Sequence, residues 1–234
     1  MKRFAFVSAA LLAAAVAVQA QQAPPAGQTP PAAPQAQRPQ RAPQPPLGPN
    51  QWRIDGTHSA AHFSVRHNVV STVRGQLGRI TGTIEFDGKD VNTVKADVSI
   101  DMNGINTQND GRDKHLRSAD FFDVTNHPAL TFKSKRVESA AEGRFKLVGD
   151  LTIRGNTKEV TLDVEGPSPI VTAKRGERTT VLTGATAMTK ISRKEFGVLW
   201  NNLIEMMPVV GDEVTVTIDL ELGRPSLPGT TSGN

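Results

Sequence analysis

The sequence predicts an all-β fold: an up-and-down antiparallel barrel of about eight strands with one or two short helices. Three observations predict it. Apolar and polar residues alternate with period two in run after run, turn signals separate the runs, and only two stretches interrupt the pattern. A two-sheet sandwich satisfies the same observations and is the alternative architecture.

The clearest runs set Val94, Ala96, Val98, Ile100 and Met102 against Lys95, Asp97, Ser99 and Asp101. Phe145 to Ile153, Val160 to Val164 and Val214 to Leu222 repeat the device, with Lys, Asp, Glu and Thr on the alternate face. Such strands have one dry face and one wet face. Weaker versions cover 61–67, 77–86, 130–136 and 181–191. Between them stand Asp87-Gly88, Gly143, Gly155-Asn156, Gly166-Pro167 and Gly176, all turn formers. The interruptions are 109–118, which reads as a helix, and 194–208, an irregular apolar insertion.

Residues 1–20 read as a signal peptide: Lys2 and Arg3, an apolar run to Val18, then Val18-Gln19-Ala20 before the cleavage point. Residues 21–50 are a Pro/Gln/Ala-rich linker that cannot bury enough apolar surface to order itself, and 223–234 reads as a disordered tail. The folded domain is therefore 51–222, and the expected location is the periplasm.

The formal charge of +4 suggests a nucleic-acid partner only until it is mapped. Five of the 27 basic residues lie outside 51–222, leaving 22 there against all 23 acidic ones. The positive balance belongs to the tails, so no phosphate-tracking surface is expected. An outer-membrane barrel is disfavoured too, because Tyr is absent, Trp occurs twice, and the alternate face is charged. With no cysteine, the domain has neither disulfides nor thiolate chemistry.

Catalytic and metal readings are weak. Asp55-x-x-His58-Ser59 places His and Ser on adjacent positions, which point to opposite faces of a strand. A hydrogen-bonding role is the better expectation for this group. His58 and His62 stand roughly 13 Å apart on an extended chain and His67 faces the other way, so no metal site is expected. In the helix, Arg112 and His115 share a face and deliver Phe121 and Phe122 toward what the helix covers. The aromatics plug a barrel end, or the two cations meet an anionic head group. Phe196, Leu199 and Trp200, with the methionines that follow, make either core or a pliable lip over an entrance.

These motifs together resemble a known family. Asp55-x-x-His58-Ser59-x-x-x-Phe63-x-x-x-His67, Arg112-x-x-His115-Leu116-x-Ser118-x-Asp120-Phe121-Phe122-Asp123 and His127-Pro128-x-x-x-Phe132-x-Ser134 come first. Gly149-Asp150-Leu151-Thr152-Ile153-x-Gly155, Ile191-x-Arg193-x-x-Phe196-Gly197 and Val210-Gly211-Asp212 follow in order. The chain from 51 to 222 is similar to the YceI-like, polyisoprenoid-binding periplasmic proteins, though Trp52 and His127 stand where members often carry Tyr. The resemblance implies a lipocalin-like barrel that carries a polyisoprenoid or isoprenoid quinone, with no catalysis and no cofactor.

Alternation then nominates the lining: Phe63, Val65, Ile84, Phe86, Val98, Ile100, Leu130, Phe132, Leu147, Leu151 and Ile153 from strands. Phe121, Phe122, Phe196, Leu199 and Trp200 join them from the two insertions. Gly149, Ala96 and Ala187 are the small inward residues expected to leave room, and Arg112 and His115 are the head-group contacts. The expected partners are the lipid and, transiently, a membrane; monomer and homodimer both stay open. Two other functions compete: an enzyme acting on a lipid inside the barrel, and a solid, ligand-free stress-response barrel.

Overall fold

In a computed structural model, residues 45–226 are described apart from 177, 202, 205 and 206. The signal-peptide and linker expectations for 1–44, and the tail beyond Ser226, lie outside the described residues.

Eight antiparallel walls close on themselves. The first two walls are each broken once: β1 (Gln51–Ile54) continues as β2 (Ala60–His67), and β3 (Ser71–Gln76) as β4 (Ile80–Glu85). β5 (Lys95–Asp101), β6 (Ala129–Ala141), β7 (Arg144–Ile153) and β8 (Asn156–Glu165) follow as neighbours. A short β9 (Val171–Arg175) hairpins onto β10 (Arg178–Ser192). Two-residue strands β11 (Leu203–Ile204) and β12 (Met207–Pro208) pair apart from the barrel. The last strand, β13 (Val210–Pro225), closes the ring, pairing β10 on one side and β2 then β1 on the other. The barrel, not the sandwich, is the architecture.

Closure decides where the domain ends. Gly223 pairs with Arg53 and Pro225 with Thr180, so the strand runs past the expected boundary at Leu222. Backbone bonds to both neighbours hold those residues although the alternation has stopped. Segments with little alternation were the other strands that the sequence did not separate: β1 has four residues, and β3 (STVRGQ) has polar residues on both faces. Gly78, where β3 gives way to β4, is obligatory in another sense. A Cβ there would lie 1.6 Å from the Asp101 carbonyl oxygen, so only glycine lets the two backbones cross.

The turn chemistry is local. Arg154 and Gly155 both adopt positive φ, 50° and 74°, the two-residue turn that matches strand twist. The helix α1 (Asp110–Arg117) sits within the expected 109–118, capped by the Asn109 side chain accepting from the Arg112 N–H. Its buried Asp113 accepts from the Thr107 N–H at 2.9 Å and also from the Thr107 hydroxyl, which locks the helix to the chain before it.

The break between β1 and β2 is held by the Asp-x-x-His-Ser motif. Asp55 accepts from the Thr57 N–H at 2.8 Å and meets His58 Nδ1 at 3.1 Å, while buried Ser59 accepts from the Glu221 N–H at 3.0 Å. The motif is thus an edge clasp onto β13. Replacing Ser59 with Ala removes that partner from a half-buried N–H and is expected to cost about 1.5 kcal/mol, read as a fall of roughly 3–6 °C in Tm.

Partial burial raises the Asp55 pKa, but the Thr57 N–H and the His58 ring outweigh it and hold the carboxyl below the ordinary range. A depressed folded-state value means the clasp stabilises above the unfolded aspartate value and weakens as pH falls through the folded one. Asp55→Asn is therefore expected to flatten the acid limb of Tm against pH, from about pH 5 downward. An unchanged limb would remove Asp55 from the account.

Candidate functional site

The inward faces of seven of the eight walls enclose a cavity of about 120 Å³, and the β1–β2 wall contributes no lining residue. Its lining is aliphatic and aromatic throughout, with Thr189 the one residue bearing a polar side chain, and the Thr189 hydroxyl donates to the Thr161 carbonyl at 2.9 Å. Among the described residues no buried side-chain N or O lacks a partner. Nothing in the interior is built to hold a charge, a metal or a polar reactant; what it can hold is apolar.

Nine of the expected lining residues reach this cavity: Ile84, Phe86, Val98, Ile100, Leu130, Phe132, Leu147, Leu151 and Ile153. Phe145, Leu162, Val164, Val216, Ile218, Leu220 and Leu222 reach it as well. The same alternation that picked the first group contains them, since each lies on the apolar side of a run already recognised. Val94 heads the clearest of those runs, and Leu77, Ala185 and Ile191 fall in the weaker ones at 77–86 and 181–191. Of the small residues, Ala96 and Ala187 border the space. Gly149 does not: a Cβ there would stand 2.6 Å from the Phe132 ring, so the ring lies in the space the glycine frees.

The remaining strand candidates sit elsewhere. Phe63 is half-buried against Gly75 and Thr107, bordering an outer groove with His62 and Ser64. Val65 pairs with Val73 and Val214 without reaching the cavity. Alternation places both on the inward side, but β2 extends past the closed part of the ring, where that side no longer faces the cavity.

The two insertions meet at one barrel end. Arg154, in the β7–β8 turn, donates to Ala119 O at 2.7 Å and Gly197 O at 2.9 Å, binding both to the rim. There the ring of His115 lies edge-on to Phe121 at 5.0 Å and to Trp200 at 4.9 Å, with Phe121 and Trp200 5.1 Å apart. Phe121, Phe196 and Val198 are buried, Phe122 and Trp200 half-buried. They form a plug outside the cavity lining, whereas Leu199 is 64% exposed and points away. His115 holds Asp120 at 2.9 Å, and Arg112 is bonded to the Thr107 hydroxyl and carbonyl at 2.7 and 2.9 Å. Both side chains are committed to neighbours in the cap, so the pair does not form an open anion fork.

One buried charge organises this cap. Arg193, 6% exposed, donates to the carbonyls of Gly211, Val198, Trp200 and Val210 at 2.6–3.1 Å. Burial pushes its pKa down, and Asp212 partly offsets this. It stitches the second insertion to the start of β13. Its place in the Ile191-x-Arg193-x-x-Phe196-Gly197 motif was visible, but its role was not, since all four acceptors are backbone atoms.

At the opposite end, fully buried Trp52 donates its ring N–H to Phe86 O at 2.9 Å, and the Arg224 guanidinium lies 4.3 Å over its ring. Sequence reading noted Trp52 only as a departure from the family pattern. On the outer wall, His58 meets neither His62 nor His67; Asp55 and Glu221 face it instead, at 3.1 and 3.5 Å.

An antiparallel eight-walled barrel with a dry cavity and a capped end defines a class of small β-barrels with an apolar interior. Within that class the chain belongs to the YceI-like domain family, whose model matches residues 52–222. It is 37% identical over 151 residues to a UPF0312 protein of Staphylococcus aureus (strain bovine RF122 / ET3-1), covering 64% of this chain and 84% of the relative. Among solved structures it is similar to the Campylobacter jejuni YCEI protein, 29% identical, TM-score 0.58, covering 67% of this chain and 88% of that one. A polyisoprenoid binding domain from Saccharophagus degradans implicated in plant cell wall breakdown shares the fold at 15% identity and TM-score 0.52, covering 74% and 98%.

Proposed function

We propose that this protein is an exported, periplasmic, non-catalytic carrier of a long apolar lipid, of polyisoprenoid or isoprenoid-quinone type, held inside the barrel. The observation that carries this reading is the cavity wall, apolar from end to end and without an unpartnered polar atom. A hydrolase or isomerase needs a polar constellation where the substrate lies, and the wall of this cavity offers none. The Saccharophagus degradans domain of like fold, which binds polyisoprenoid, supports the same class of cargo.

Volume sets how the cargo enters. About 120 Å³ lies below the usual 300 Å³ floor of ligand pockets. A long chain must therefore turn lining side chains aside. Each buried methylene returns about 0.8 kcal/mol, so a chain of about twenty carbons outweighs 1–3 kcal/mol of off-rotamer strain several times over.

Native mass spectrometry of the exported protein, followed by lipid extraction, tests the reading. A stoichiometric prenyl chain or quinone is expected. A clean apo mass that persists after incubation with membrane lipid extract would overturn it and favour the solid barrel.

A further inference from the structure

The β2–β3 hairpin ends on Val69 and Val70, 55% and 80% exposed. Asn68 and Val69 both adopt left-handed backbone, φ 49° and 60°. That conformation is strained for a β-branched residue, and the Arg66 guanidinium holds it by donating to Val69 O and, at 3.0 Å, to the Thr72 hydroxyl. A tip that keeps two valines in water, one of them strained, stabilises nothing within the chain.

Charge around the tip is one-sided. From Gly56 to Ile84 the sequence has three arginines, Arg66, Arg74 and Arg79, and no Asp or Glu. None of the three forms an ion pair among the described residues. On the adjoining start of β13, Lys190 pairs with Glu213, and the charge of Asp212 acts on buried Arg193. The tip also lies at the capped end: the Asn68 N–H donates to Val209 O, His67 pairs with Val210, and Arg193 ties Val210 to the cap that carries exposed Leu199. The other exposed pair, Ile170 and Val171, lacks this setting, since Ile170 lies beside Gly88 in a loop bearing Asp87 and Asp90.

We infer that the β2–β3 tip is a membrane-docking element: Val69 and Val70 enter the interface of an anionic phospholipid bilayer, Arg74 meets its headgroups, and the charge of Arg66, which stays bonded to the tip, adds to the attraction. Apolar residues flanked by cations are the chemistry that recognises such a surface. Docking there presents the capped end of the barrel to the membrane, so the cargo passes by the Phe121–Trp200 plug. This rests on the carrier reading above and names the surface that reading needs.

The test is co-sedimentation of the full chain with vesicles of phosphatidylcholine containing roughly one-third phosphatidylglycerol, and with phosphatidylcholine alone. Wild-type protein is expected to bind the anionic vesicles, more weakly as salt rises. Val69→Asn with Val70→Ser is expected to weaken binding at least tenfold while leaving Tm unchanged or higher, because Asn tolerates the left-handed region. Arg74→Gln is expected to weaken it about fivefold. The tails are constant across the set, so differences report the tip alone. Equal binding by wild type and the double variant, or no binding by wild type, overturns the proposal and leaves the tip to a protein partner. Cargo occupancy, read separately by native mass spectrometry on detergent-loaded protein, keeps the two readings apart. Loaded protein that ignores vesicles sinks only the docking; an empty barrel that binds vesicles through the tip sinks only the carriage.

Discussion

Arg193→Met is expected to lower the stability of the domain by about 3 kcal/mol, a fall in Tm of roughly 6–12 °C. Met fills similar space, so the loss isolates the polar role. One guanidinium serves four carbonyl oxygens, and among the described residues no carboxylate lies within 4 Å of it, so Asp212 offsets its burial only from farther off. Hydrogen bonds from a charged donor contribute about 1.5–3 kcal/mol each, and the desolvation of the charge offsets part of that sum. Arg193→Lys is expected to recover little, because a compact ammonium cannot span acceptors spread from Val198 to Gly211. Limited proteolysis should show cleavage rising between 194 and 201, where the cap comes loose. An unaltered melt and cleavage pattern would mean water replaces the guanidinium and the cap holds without it.

The second large effect is on binding. Ala187 faces inward on β10, paired with Val164 and Ile218, which line the same cavity. Ala187→Phe drives a ring into a space of about 120 Å³ and leaves no continuous path for a chain. Lipid occupancy by native mass spectrometry is expected to fall at least tenfold, which is about 1.4 kcal/mol. Folding should survive, because the ring enters existing space; the strain of overpacking stays within about 1–3 kcal/mol. Met188, the next residue, is 48% exposed and points outward, so Met188→Phe is the matched control and should bind as wild type does. Loss in both variants would locate the effect in the strand; loss in neither would put the lipid outside the barrel.

Much of this is legible in the sequence. Period-two alternation identified β5, β7, β8 and β13 and which of their faces is dry, and nine of the nominated lining residues reach the cavity. Alternation is a local signal with a local cause: neighbouring side chains on a pleated strand point to opposite faces. It worked where a strand stays within the closed ring. It misled on β2, where Phe63 and Val65 keep the inward parity but leave the ring behind, and it had little to say on β3 and the four residues of β1.

The cap shows the other limit. Arg112 and His115 shared a helix face, as their spacing required, yet Thr107 and Asp120 occupy them. Phe196 and Trp200 are apolar enough for core or for a lip over an entrance, and only the carbonyls gathered by Arg193 fix that segment in the cap. Gly149 was read as free volume because the strand carried no side chain there; the Phe132 ring that fills it comes from the neighbouring strand. The sequence by itself determined an all-β barrel, its inward faces and a dry interior, because alternation and turn residues act within a few positions along the chain. Only the tertiary structure decided the closure through Pro225, the plug and the size of the cavity, because each depends on atoms that meet across the barrel from distant parts of the chain.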